Sequence, residues 1–151
     1  MRIFLTAIVI ALCTCACAAQ EAKTDDKTIP KVTYCEIMKH PEKFDDKVIE
    51  VTAIYGNGFE KSHLYDKDLC HNMDPSQPQT WVAYDKSFVM DGDSEEAKTN
   101  SQISGFGVWE VTAIGRFQRA REGRFGHLGC CVYQFNFMRI VRSEKLSGRA
   151  E

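Results

Sequence analysis

Cysteine and histidine are the residue types in this chain that could do chemistry beyond packing, and they fall into two groups. One is Cys70-His71 with His63 upstream; the other is His127-x-x-Cys130-Cys131. Thiolate and imidazole suit zinc or copper, so Cys70, His71, His127 and Cys130 define one reading, an exported metal-binding or thiol-active protein. The spacing contains neither a Cys-x-x-Cys nor a His-x-x-x-His pair. A disulfide would also consume the thiolates that a metal needs, so no metal is assigned and no cofactor is expected. Cys70 and His71 make a poor nucleophile and base, because neighbouring side chains diverge and catalytic partners come from separate elements. No G-x-S-x-G motif supports a serine hydrolase. Asp91 to Glu96 lacks the spacing of a calcium loop, and Gly105-Phe106-Gly107 precedes a strand, whereas a phosphate loop follows one. With no catalytic motif, a non-catalytic binding role is the leading expectation.

The other residues suited to recognition are arginines and aromatics. Arg116, Arg119, Arg121 and Arg124 stand close together with Phe117 and Phe125. Guanidinium forks fit phosphate or carboxylate, and interleaved rings add a stacking surface. The expected ligand is an anionic envelope component or an acidic protein partner. The bland reading is a solvated hairpin whose charges protect a sheet edge. Tyr65, Trp81 and Tyr84 lie on predicted strands and are candidates for a stacking platform, although strand aromatics mostly pack inward.

The start of the chain supplies an address. Arg2, the apolar run Ile3 to Leu12 and the small residues Ala16-Cys17-Ala18-Ala19 read as an export signal over residues 1–19. Its apolar core is shorter than the roughly 20 residues that span a bilayer, so no transmembrane span is expected after its removal. Cys17 is the candidate for lipidation, since lipoproteins are cut before a cysteine preceded by small residues; cleavage near Ala18 or Ala19 is the alternative. The mature protein is expected to be exported and periplasmic, soluble or lipid-anchored. That location makes nucleic acid an unlikely partner. Residues 20–31 read as a flexible tether and residues 144–151 as a disordered tail.

The remaining 32–143 segment must hold one domain. The whole chain has 151 residues, 44% of them hydrophobic, enough for one compact core. Nineteen Lys and Arg against 21 Asp and Glu, a net charge of -2, exclude a uniformly basic surface. Of the seven cysteines, Cys35, Cys70, Cys130 and Cys131 lie outside the leader. Cys35 with Cys70 is the favoured disulfide, because both sit outside predicted strands in an oxidising compartment. Cys130 and Cys131, read as part of a strand, would point to opposite faces and not pair with each other.

Thr33 followed by Glu36 is a capping box that opens a short helix, Tyr34 to His40, which Pro41 stops. After a turn-rich bridge, Val48 to Tyr55 is a β-branched strand bent by Gly56-Asn57-Gly58. Ser62 to Tyr65 and Thr80 to Asp85 are the second and third strands. Asp93 to Ser101 is a helix or an acidic loop. Phe106 to Phe117 and Cys130 to Val141 are the fourth and fifth strands, joined by the Arg-rich hairpin. Glu50-Val51-Thr52-Ala53-Ile54 recurs as Glu110-Val111-Thr112-Ala113-Ile114, which places two long strands in similar environments, Val51 and Ala53 on one face and Thr52 and Ile54 on the other. This order predicts a mainly β fold, a five-stranded OB-like Greek-key barrel with a short N-terminal helix and the helix or acidic loop between strands three and four.

Cys35-Glu36-Ile37, Pro41-Glu42-Lys43-Phe44-Asp45 and Lys47-Val48-Ile49-Glu50-Val51, with Phe59-Glu60, Leu64-Tyr65 and Cys70, resemble small exported bacterial OB-like proteins of unassigned role. The resemblance covers the first half of the mature chain. It implies a fold and a location, and carries no catalytic residues.

Overall fold

The computed structural model describes residues 28–66 and 80–146. The export signal, Cys17, Cys70 and His71 all lie outside the described residues. In chain order the elements are β1 (Lys31–Thr33), α1 (Tyr34–Lys39), α2 (Pro41–Phe44), β2 (Lys47–Gly58), β3 (Lys61–Tyr65), β4 (Thr80–Tyr84), α3 (Glu95–Ser101), β5 (Gly107–Arg119) and β6 (Tyr133–Leu146). The protein is mainly β, with one six-stranded mixed sheet. No described helix is long and apolar enough to cross a membrane.

Six strands replace the expected five because Lys31–Thr33 adds in parallel along Glu50–Thr52. Such an edge piece is too short to show periodicity. It starts one residue before the expected limit of the domain, and β6 runs three residues beyond it.

The capping box forms as expected. The Glu36 amide donates to the Thr33 hydroxyl at 3.2 Å, and the Thr33 amide donates to the Glu36 carboxylate at 2.8 Å. The Thr33 amide, and the Thr33 hydroxyl donating to the same carboxylate at 2.9 Å, hold the Glu36 carboxyl below the usual carboxylate range. The bridge after Pro41 closes into one helical turn, α2, with proline in its first turn, where a missing amide proton costs nothing. Gly56-Asn57-Gly58 does not end β2: the strand runs through Gly58, and the hairpin turn is Phe59-Glu60, with Glu60 at φ 56°.

β2 pairs with β3 on one side and β5 on the other, so hydrogen bonding runs β2-β3-β4-β6-β5 and back to β2. All pairs in this ring are antiparallel except β4 with β6. The repeated pentapeptides are partners in it. Glu50 faces Ile114, Val51 faces Ala113 and Thr52 faces Thr112, so the repeats cross as a local two-fold about the threonines, whose hydroxyls lie 2.9 Å apart.

Alternation places Ile49, Val51, Ala53 and Tyr55 of β2 with Val111, Ala113, Phe117, Phe135 and Phe137 in a single buried cluster. Two buried hydroxyl sites serve it. Tyr34 donates to the Leu64 carbonyl at 2.9 Å and shares a 2.8 Å bond with Thr80, and burial pushes its phenol up to about 12. Tyr55 bonds Tyr84 and Ser62 through their hydroxyls, and burial raises it further still.

α3 exists, capped by Ser94, whose hydroxyl accepts from the Ala97 amide at 3.1 Å. It delivers Asn100, fully buried, to a register shift between β5 and β6. There Asn100 accepts from the Ile140 amide and donates to the Val89 carbonyl, both at 2.8 Å. One side chain thus satisfies the Ile140 amide beside the irregular pairing and ties it to the segment between β4 and α3.

Candidate site on the outer face of β3 and β4

Leu64 and Val82 are buried, so their strand neighbours His63, Tyr65 and Trp81 occupy the opposite, outer face. His63 is directly across from Trp81, with ring centroids 5.7 Å apart. His63 Nδ1 is the one buried side-chain polar atom among the described residues with no hydrogen-bond partner. Burial, reinforced by Lys61, lowers the His63 pKa from its ordinary value. Tyr65 is on the same face and packs over Gly56, where a Cβ would come within 3.4 Å of its ring.

Tyr84 departs from the expected platform. It shares the face of Val82, bonds the buried Tyr55 hydroxyl at 2.9 Å and packs against Phe88. Alternation tells which residues share a face, not which face is inward, and Tyr84, though 41% exposed, is on the face of Val82 and not on that of Trp81.

The segment between β5 and β6 closes over Trp81. Gly126, at φ 78°, lies flat against the indole: a Cβ there would stand 2.5 Å from Trp81 Cε3 and 2.9 Å from Cys130 Sγ. Reciprocal bonds between Phe125 and Cys131, at 2.7 and 3.1 Å, pin the base of the loop. At its tip, His127 Nε2 is 3.5 Å from Glu60 Oε2, so the β5–β6 loop meets the β2–β3 turn. Phe59 and Leu128, the sequence neighbours of that pair, are 79% and 92% exposed.

Arg119, Arg121 and Arg124 are exposed around this loop, and Phe125 is half-buried at its base. Arg116 is set apart. It lies within β5 and donates to the Asp46 carbonyl at 2.8 Å, with the Asp46 carboxylate at 3.4 Å. Phe117 belongs to the core. The loop therefore presents three of the four arginines and one of the two phenylalanines expected of it.

Cys130 and Cys131 form a disulfide with each other, against expectation. They precede β6 instead of belonging to it, and Cys130 has helical backbone angles (φ -66°, ψ -32°), so strand alternation does not separate the side chains. Cys130 is exposed and Cys131 buried. A two-residue ring restricts the unfolded chain by only about 1 kcal/mol in the chain-entropy relation, against about 4 kcal/mol for a 35-residue loop. Cys35 is disulfide-bonded as well, and its Sγ is 2.6 Å from Asp66 Oδ2; Cys70, the partner expected for it, lies outside the described residues.

For the metal-binding reading, Cys130 is withdrawn by its bond to Cys131, and no group of three or more metal-ligating side chains gathers among the described residues. The Trp81 face and the loop seated on it are therefore where the recognition residues converge. Set against protein-family models, curated proteins and solved structures, the chain matches none.

Proposed function

We propose that this chain is an exported OB-fold binding module, without catalysis, that takes an anionic ligand at the β5–β6 loop: an anionic envelope component or an acidic protein partner. The strand order β2-β3-β4-β6-β5, the parallel β4–β6 pair and a helix between β4 and β5 support the fold assignment. With β2 to β6 as the five OB strands, β3 and β4 form the face, and the β2–β3 turn and β5–β6 loop the rims, that such folds use for ligands. The signal-like start of the chain supports export.

The observation that carries this reading is the seat of Gly126 on Trp81. It fixes a loop bearing exposed Arg119, Arg121 and Arg124 beside an aromatic outer face, joining charge recognition to a stacking surface. Arginine forks engage carboxylate or phosphate, and unscreened positive charge draws anions in.

Two arms of one experiment separate the ligand sources: sedimentation with vesicles of anionic phospholipid, and titration with poly-glutamate. Binding in at least one arm should weaken steeply as ionic strength rises from about 0.01 to about 0.5 M, where the Debye length falls below about 10 Å. Arg119→Ser, Arg121→Ser and Arg124→Ser together should abolish it. Binding by the triple variant equal to the parent, or no binding in either arm at low salt, contradicts the proposal.

A further inference from the structure

The Cys130–Cys131 bond has no role in the binding reading, and as a staple it closes too small a ring to restrict the unfolded chain much. Its surroundings suit exchange. Cys130 is exposed while Cys131 is 1% exposed, so an incoming thiolate approaches the bond from the Cys130 side. The Arg124 guanidinium donates to the Cys130 carbonyl at 3.5 Å, exposed Arg121 stands on the same loop, and exposed Arg119 ends the strand that leads into it. Positive charge of this kind stabilises the thiolate form on which exchange depends. Cys130 Sγ also abuts Gly126, the residue lying on Trp81.

We propose that Cys130–Cys131 is a thiol–disulfide exchange site whose partner is a dithiol, and whose opening releases the β5–β6 loop from Trp81. One thiolate of the dithiol attacks Cys130 Sγ. The bond to Cys131 breaks, its electron pair leaves on Cys131 Sγ, and that sulfur takes a proton. The second thiolate of the dithiol then attacks the mixed disulfide, freeing Cys130, which is protonated in turn. The balance is two electrons and two protons passed to the protein, with the dithiol oxidised to a cyclic disulfide. Once the eight-membered ring is open, Cys130 can swing away from Gly126, and the contact between the loop backbone and the indole loosens. The inference stands independently of the anionic-ligand reading.

Dithiothreitol is the probe, applied to the intact chain without denaturant, followed by alkylation and peptide mass spectrometry. Cys130 and Cys131 should gain one alkyl group each at concentrations that preserve the thermal transition. Trp81 emission should shift to longer wavelength at the same concentrations, because a loop lifted from the indole admits water to it, and the shift should be absent from Trp81→Phe. A double variant, Cys130→Ser with Cys131→Ser, should emit at the reduced-state wavelength with or without dithiothreitol. Should that variant fail to fold, labelling of the unaltered chain still decides the matter. Alkylation of Cys130 and Cys131 only where the thermal transition is lost overturns the exchange site. Alkylation with unchanged Trp81 emission overturns the release of the loop.

Discussion

Asn100 and His63 are polar side chains pressed against the same strand ring, Asn100 from α3 and His63 on the outer face near the β5–β6 loop. Asn100 is fully buried and both ends of its amide are bonded, to Ile140 and Val89. His63 keeps a buried Nδ1 without a partner, beside a turn and a loop that hold Glu60 and Leu128 at positive φ and leave Phe59 and Leu128 in solvent. A buried polar group with both partners specifies a fold. Orphaned polar atoms and left-handed non-glycine residues cost stability, and a surface that keeps them is a candidate for another role. The contrast sets a fully satisfied α3 side against the Trp81 side, where the proposed binding face lies.

Substitutions can break that contrast. The largest effect is expected from Asn100→Ala, which leaves the buried Ile140 amide without a partner and should cost about 3 kcal/mol in denaturant unfolding. A loss below about 1 kcal/mol would mean that water replaces the amide. Gly126→Ala should cost less, about 1 kcal/mol, because the loop can lift from Trp81 while the ring stays intact. Its signature is a change in Trp81 emission without a matching fall in Tm. Gly115 is the control within the ring, since a Cβ there runs into the Asn136 carbonyl and the Phe135 ring, which cannot move aside. Gly115→Ala should therefore destabilise globally, well beyond Gly126→Ala.

The His63 prediction concerns pH. Its pKa in the folded state is lowered by burial and then by Lys61, so the unfolded chain binds the proton first as pH falls. The contribution is fully present above about pH 6.5, the ordinary imidazole value, and is lost progressively below it. His63→Phe should keep the ring contact with Trp81 and flatten this part of the stability profile. A profile of unchanged slope between pH 6.5 and 5 would refute the assignment. The smallest effect belongs to the triple arginine-to-serine variant, whose Tm should stay within about 2 °C of the parent, as surface changes seldom exceed about 0.5 kcal/mol.

Local chemistry made much of the fold legible. Thr33 and Glu36 announced α1 because a capping box is a contact within one turn. The two copies of Glu-Val-Thr-Ala-Ile marked long strands of like environment, and their pairing with each other explains why: residues opposed across a ladder share one face. What escaped depends on contacts distant in sequence. β1 is defined only by its neighbour β2, and the side of Tyr84 only by Tyr55. The vicinal disulfide was hidden because Cys130 and Cys131 adjoin a β-branched and aromatic run, while the chain just before them turns through positive φ at Gly126, which packs on Trp81, and at Leu128 and Gly129. The arginines were visible as a cluster, yet the separation of Arg116 required Asp46, seventy positions away. His63 carried no local signal for its place beneath an aromatic face.

The central claim is that charge recognition and the Trp81 face form one site. It is tested most directly by following tryptophan emission during titration with poly-glutamate and with anionic vesicles, in the parent, in Trp81→Phe and in the triple arginine variant. The account predicts a saturable change in the parent that shrinks with salt and is missing from both variants. Ligand binding that leaves Trp81 emission untouched, or an undiminished change in the triple variant, would contradict it.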